Sequence, residues 1–569
     1  MKKTLAFPLL SLLSWPGITS AAPRSHVPEV NVNNGTLVGT HLAQYNQDLF
    51  LGIPFAKAPV GELRYQHPQP ITKSWGKRNA TEYGAWCNSA PIGLVGFDEP
   101  GLSHKESEDC LFVNVVKPSH VSPSEKLPVL VWIYGGALQE GDSADQRYNM
   151  SFIVQESVKM GTPMIGVSFN YRVSGFGFMQ GTAFNQSGLA NLGLYDQRLA
   201  LHWIQENIEA FGADKSRVTI AGESSGGISV GHQYLAFGGR DEGLFSAGIA
   251  ESGGMMTSAP LVPLDQQDVL YENVLNATNC TNATDTVACL RSVPEKDLKA
   301  VFQGNTYNPV IDGAIIDRMP SAALLEGRFV KRPILIGSNT NEGTSFTVRQ
   351  NATLNNQADL SNFVHAYDPG HGLTPEFISD IVAAYTSELS AQEVRADLGT
   401  VLPKPNSTFG PLYGAATLYI ADMLFNACRR LTLQAWGKHG VESYSYHFNA
   451  VPQGIDPHLL GAAHFQEVAF VFNNVEGVGY TQNPLKSDNL VLTRMYRDLA
   501  ALMSRMWISF VVTHSPNSHH VPTFNVKWPS YEHGAQNMVF QLRGSHLEHD
   551  AWRQNAIQKI ADNFDLYRL

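Results

Sequence analysis

Four short runs of this chain are apolar at consecutive rather than alternate positions: Pro128–Tyr134, Pro163–Phe169, Val218–Ala221 and Pro333–Gly337. A strand with one wet face alternates, so runs like these require both faces to be covered, as in a parallel sheet between helical layers. The first run ends at Gly135-Gly136, the second at Asn170-Tyr171-Arg172 and the third at Gly222. Between the second and third, Asp196–Phe211 places Leu199, Leu201, Trp203, Ile204 and Ile208 near one helical face. Strand–helix alternation predicts an α/β architecture with a large, mostly parallel central sheet flanked by helices. Ser379–Lys438 reads as mostly helical, a cap or side subdomain. No repeat and no low-complexity linker divides the 569 residues, and 43% hydrophobic content excludes a mostly disordered chain.

The formal charge is −11, with charged residues at only 16%. That sign gives no basic field for nucleic acid or an anionic membrane surface. Lys2 and Lys3 precede an apolar stretch from Leu5 to Trp15, and Thr19-Ser20-Ala21-Ala22 follows. This is the order of a signal peptide, expected over 1–21, and the stretch is too short for a bilayer that needs about 20 residues. No stable membrane anchor is expected elsewhere. Sequons at Asn34, Asn79, Asn149, Asn185, Asn276, Asn279, Asn282, Asn351 and Asn406 suit a secreted glycoprotein. Five cysteines in an oxidising compartment predict two bridges and one thiol. Local pairing gives Cys87–Cys110 and Cys280–Cys289, with Cys428 on an apolar stretch as the buried thiol. No Cys-x-x-Cys occurs, and His519-His520, His546 and His549 read as polar surface rather than metal ligands.

Gly222-Glu223-Ser224-Ser225-Gly226 directly follows the run Val218–Ala221 and precedes an apolar stretch from Ile228. Gly-x-Ser-x-Gly between strand and helix is a nucleophile elbow, with the hydroxyl held above the sheet and helix N–H groups beside it. Ser225 is the rival hydroxyl, but centring the motif on it needs glycine at 223, where Glu stands. A serine nucleophile needs a base, an orienting acid and an oxyanion hole. Tyr134-Gly135-Gly136-Ala137 at a strand end is the hole candidate. Glu342 follows the run Pro333–Gly337, the expected place for the acid, with Asp312 as competitor. Among 19 histidines, His464 in Gly461-Ala-Ala-His464 lies downstream of both and completes the order Ser–Glu–His.

These segments resemble the type B carboxylesterase/lipase family of the α/β-hydrolase superfamily, which includes cholinesterases and fungal triacylglycerol lipases. The resemblance runs through Gly52-Ile-Pro-Phe-Ala56, Ser107-Glu-Asp-Cys110-Leu-Phe-Val-Asn114, Trp132-Ile-Tyr-Gly-Gly136, Asn170-Tyr-Arg-Val173 and Asn191-Leu-Gly-Leu-Tyr-Asp-Gln-Arg198. It continues through Gly222-Glu-Ser-Ser-Gly-Gly227, Pro309-Val-Ile-Asp-Gly313, Glu342-Gly343, Gly461-Ala-Ala-His464 and Trp528-Pro-Ser-Tyr531. It implies a single domain over 22–569 that hydrolyses carboxylic esters of small molecules or lipids. Ser224 is then nucleophile, Glu342 acid and His464 base, with oxyanion donors on Gly136, Ala137 and Ser225 and no metal or organic cofactor. The two local disulfides match the family's loops.

Two positions depart from the family pattern. Ala137 stands in place of a third glycine. Ser225 replaces alanine, a change expected to matter little because the backbone donor stays. The segment Asn88–Asp109 corresponds to the family's Ω-shaped flap. It lacks the cation-binding Trp of cholinesterases and is shorter than in fungal lipases, so a broad carboxylesterase is expected ahead of a lipase with a mobile flap. An inactive adhesion or scaffold member is the remote alternative, since such relatives lose the serine or histidine that this chain keeps. Oligomeric state is left open.

Overall fold

The computed structural model describes residues 27–97, 104–119, 121, 123–256, 261, 264–367, 372–389 and 408–568. The segment expected as a signal peptide, part of the flap and the sequon at Asn406 lie outside them.

An eleven-stranded sheet organises the chain. Its strands, with those of a small accessory sheet, are β1 (Glu29–Val32), β2 (Gly35–Val38), β3 (Thr40–Leu42), β4 (Gln47–Pro54), β5 (Gly76–Asn79), β6 (Phe112–Pro118) and β7 (Leu127–Ile133). Then follow β8 (Ile165–Phe169), β9 (Ala213–Glu223), β10 (Ala247–Glu251), β11 (Ile334–Asn339), β12 (Ser443–Phe448), β13 (Gln536–Phe540) and β14 (His546–His549). The order across the large sheet is β3-β4-β6-β8-β7-β9-β10-β11-β12-β13-β14, while β1, β2 and β5 form the small one. From β8 to β13 every neighbouring pair is parallel, and the antiparallel pairs sit at the two edges.

The four consecutive-apolar runs lie in this parallel centre, as β7, β8, β9 and β11. Every residue of β7, β8, β10 and β11 is buried, which is why their sequences do not alternate. β9 extends well before Val218, because Lys215 and Ser216 protrude past the covered zone and are exposed. The amphipathic pattern from Asp196 becomes the helix Leu192–Asn207 and a 3-10 turn to Phe211. The buried Asp196 in that helix holds Arg172 through two bonds of 2.8 and 2.7 Å. A 24-residue helix, Leu490–Thr513, packs against β7 and β9. Among the described residues no helix is long and apolar enough to cross a membrane.

The expected side subdomain resolves into two parts. Leu360, Ile381, Tyr385, Leu418 and Ile420 form a second apolar cluster beside the main core. The helix Ala427–Lys438 instead packs on β12 and sends Leu433 and Trp436 into the main core. Helical periodicity alone carries no information on which core a helix serves, so the pattern over Ser379–Lys438 reads as one unit.

Asn79, Asn276, Asn279, Asn282 and Asn351 are exposed. Asn34, Asn149 and Asn185 are partly buried, with Nδ2 donating to Ile71 O, Gln146 Oε1 and Ile311 O. Disulfides join Cys87 to Cys110 and Cys280 to Cys289. Arg64 links the two loops. It donates to both carboxylate oxygens of Glu108 at 2.6 Å and to the carbonyls of Leu290 and Arg291 at 3.0 Å. Cys428 is free and buried, and burial pushes its thiol up to about 11. Thiol titration of the denatured, unreduced chain is therefore expected to return one group, mapping to Cys428, and the native chain at neutral pH none. Three or five free thiols would contradict these pairings.

Candidate active site

Strand β9 ends at Glu223 and the helix Ser225–Gly239 begins two residues later, leaving Ser224 alone to make the turn. Its backbone sits at φ 57, ψ −127, a conformation that costs a non-glycine residue about 1–3 kcal/mol. The strain falls on the serine itself. Gly226 serves a different purpose, because a Cβ there would meet Ile133 O at 2.1 Å. Glycine thus lets the helix press onto the end of β7, from which the Gly135–Leu138 loop departs.

Ser224 Oγ lies 2.8 Å from His464 Nε2, and His464 Nδ1 lies 2.6 Å from Glu342 Oε2. With the carboxylate accepting at Nδ1–H, Nε2 is left to accept the serine proton. Glu342 opens the helix Glu342–Gln350 just beyond β11. Its other oxygen accepts from Ser252 Oγ at 2.5 Å and Asn339 N–H at 2.6 Å, which fixes the carboxylate's orientation. Asp312 is used otherwise: Oδ1 accepts from the N–H groups of Ala314 and Ile316 at 3.0 and 2.9 Å, stapling its own turn. The imidazole is walled by Phe425, 5.0 Å away and nearly stacked, and by Phe346 at 5.2 Å. Phe425 belongs to a π-helical turn, Asp422–Asn426, between two α-helices, a deviation that often occurs at functional sites.

The loop after β7 carries the candidate oxyanion donors. Gly136 has φ 102, and a Cβ on it would meet Glu140 O at 2.5 Å. Ala137 and Leu138 follow at φ 55 and 63. Here the alanine at the usual third-glycine position has a consequence beyond its methyl, since two successive L-residues occupy the left-handed region. The loop is braced by Ser225, whose Oγ accepts from Leu138 N–H at 3.1 Å. The expectation that Ser225 matters only through its backbone N–H leaves this contact out.

Three further carboxyl groups surround these hydrogen-bonded side chains. Glu223 Oε1 lies 3.3 Å from His464 Nε2, and among the described residues neither of its oxygens has a hydrogen-bond partner. Burial, reinforced by Glu467, Glu342 and Glu251, pushes Glu223 well above the usual carboxylate range. Glu467 receives Asn339 Nδ2 at 2.5 Å and Ser252 Oγ at 3.2 Å. Burial and Glu342 push it up to about 7. Glu251 accepts from Trp507 Nε1 at 2.8 Å and is raised by burial and by Glu467. Glu223 is visible in the motif itself. Ser252, Asn339 and Glu467 escape sequence reasoning because they meet only when β10, β11 and the histidine turn converge. Among the described residues no group of three or more His, Cys, Asp or Glu is placed to hold a metal.

The model of the carboxylesterase family matches residues 26–558. The chain belongs to the carboxylesterase family. It is an α/β-hydrolase and a hydrolase of carboxylic esters. It is 31% identical to "Secreted lipase 1" of Botryotinia fuckeliana, over 95% of this chain and 94% of that protein. It is also 31% identical to "Lipase 2" of Geotrichum candidum, over 98% and 99%. Among solved structures it is similar to Aspergillus niger EstA, with TM-score 0.80, 28% identity, and 95% and 99% coverage.

Two measurements follow from this geometry. Ser225→Ala leaves the buried Leu138 N–H without its acceptor, at a cost of about 1–3 kcal/mol. Turnover is expected to fall by about tenfold or more with KM little changed, and wild-type turnover would show that the brace does not matter. Glu467 is raised in the folded state above its unfolded value of 4.5. Its contribution to stability is therefore full below pH 4.5 and lost as pH rises through about 7. Between pH 5 and 8 the Tm of Glu467→Gln, whose amide does not titrate, is expected to fall less than that of the native chain.

Proposed function

We propose that Ser224 is the nucleophile, His464 the general base and Glu342 the acid that orients it, in ester hydrolysis through a covalent acyl-enzyme. The observation carrying this reading is the unbroken run of hydrogen bonds from Ser224 Oγ through the imidazole to Glu342, at 2.8 and 2.6 Å. His464 takes the serine proton as Oγ attacks the ester carbonyl carbon. Glu342 holds the tautomer and stabilises the imidazolium. The N–H groups of Gly136, Ala137 and Ser225 receive the oxyanion, each donor worth about 3 kcal/mol. The imidazolium then protonates the leaving alcohol, and His464 deprotonates the water that releases the acid. Glu223, 3.3 Å from Nε2, is held by burial well above the usual carboxylate range, which disfavours its charge there, while Glu342 hydrogen-bonds Nδ1.

The protein is read as a secreted, single-domain enzyme over 22–569, glycosylated at exposed sequons, acting as a broad carboxylesterase on small or lipid esters. A triacylglycerol lipase is the second reading, supported by the names of the Botryotinia and Geotrichum relatives. Rates on p-nitrophenyl esters from acetate to palmitate, with and without emulsion, separate the two, since a lipase gains sharply on emulsified long chains. Ser224→Ala is expected to lower turnover by roughly four to six orders of magnitude, because triad members act as a unit. A phosphonate inhibitor is expected to label Ser224, and an unlabelled Ser224 would overturn the assignment.

A further inference from the structure

Arg147 is a buried cation close to the triad that none of the chemistry above uses. Its guanidinium carbon lies 4.8 Å from the ring centroid of Phe97 and 4.6 Å from that of Phe465. The two rings meet edge to face, with centroids 4.9 Å apart. Phe97 lies in the flap segment that starts at Asn88, and Phe465 immediately follows His464. Arg147 also donates to the carbonyl of Phe97 and is held by Asp145, which receives Nε at 3.0 Å and a terminal nitrogen at 2.7 Å. Beside this cluster Gln466 Nε2 donates to Gly96 O at 2.8 Å. The flap and the histidine turn are therefore tied twice, within three residues of the imidazole.

The backbone says what the tie is for. Phe465 has φ 73, a left-handed conformation that a bulky aromatic residue very rarely adopts. Such a residue persists only where its surroundings over-determine it, and this buried ring is packed against both Arg147 and Phe97. A buried ion pair is a poor source of stability, since well-packed apolar residues often serve as well. What a guanidinium adds is a rigid plane that faces two rings and a carbonyl in one geometry.

We propose that Arg147 is a positioning residue for His464: it locks Phe465 in its strained conformation against Phe97, so that the imidazole's place depends on the seat of Gly96–Phe97. This rests on His464 being the base. Glu223 and Glu342 contact the imidazole from the end of β9 and from beyond β11, whereas Arg147 contacts the Phe465 ring that follows it.

The test measures kcat and KM for p-nitrophenyl butyrate, with active sites counted by phosphonate titration so that only competent enzyme is compared. Arg147→Lys keeps a charge for Asp145 but loses the plane. Its kcat per titrated site is expected to drop about 10- to 100-fold, the scale of an ångström-sized misplacement, with KM within about threefold and Tm little changed. Phe465→Gly adopts φ 73 without a ring, so in that background Arg147→Lys is expected to change kcat by less than about threefold, a non-additivity that marks a shared route. Should Arg147→Lys fail to fold, Phe97→Leu replaces it in the same cycle, with the same non-additivity expected. Wild-type kcat per site in the folded variant, or effects that multiply independently, would overturn the inference. A native enzyme whose Ser224 resists the phosphonate would instead overturn the triad assignment.

Discussion

The contact between the helix Ser225–Gly239 and the end of β7 sets the geometry of the whole site. At Gly226 the backbone approaches Ile133 O so closely that a single methyl would collide. β9 and β7 are hydrogen-bonded neighbours in the sheet, with Ile133 paired to Gly222. One pair of parallel strands thus delivers Ser224 at one C-terminal end and the loop with the candidate oxyanion donors at the other. Ser225 Oγ then ties that loop back to the elbow through Leu138 N–H. The proposed nucleophile and donors are mutually fixed before an ester arrives, the condition under which donors stabilise developing charge without reorganising.

Much of this was legible from residue order because the parallel centre is covered on both faces. Consecutive apolar runs marked β7, β8, β9 and β11, and the elbow motif marked the place where β9 must turn. The edges were not legible. β14 is His546–His549, a polar strand recruited by pairing with β13, and its histidines read in sequence as plain polar surface. β12 begins Ser-Tyr-Ser-Tyr, where the buried Ser445 hydroxyl donates to Asn537 and receives Arg429. No hydropathy pattern marks a strand whose polar side chains are satisfied by a neighbour far along the chain.

The hydrogen-bonded trio Ser224, His464 and Glu342 was legible as candidates in the order Ser–Glu–His, but what orients it was not. Ser252, Asn339 and Glu467 share hydrogen bonds with one another and with Glu342 across three separate segments. Arg147 sits between two segments that nothing in the sequence associates. Asp312 shows the converse case, a carboxylate at a plausible motif position that the chain spends on a turn. Short-range chemistry shows in sequence, whereas partners chosen by packing do not.

Left-handed, non-glycine backbone gathers around the reacting atoms: Ala137, Leu138, Ser224, Ser252 and Phe465. At about 1–3 kcal/mol each, their sum is a large share of the roughly 5–15 kcal/mol by which a domain is stable. Such strain survives only where each residue is held from outside. Ser224 N–H donates to Glu251 O at 2.9 Å, and Ser252 N–H to Gly337 O at 3.0 Å, both across strand ends. Leu138 is held by Ser225, and Phe465 by Arg147 and Phe97. The holders are strand ends, the elbow helix and one buried cation, all anchored in the main core. A smaller core could form the same three hydrogen-bonded side chains, but it could not keep the backbone beneath them in conformations the chain would otherwise leave.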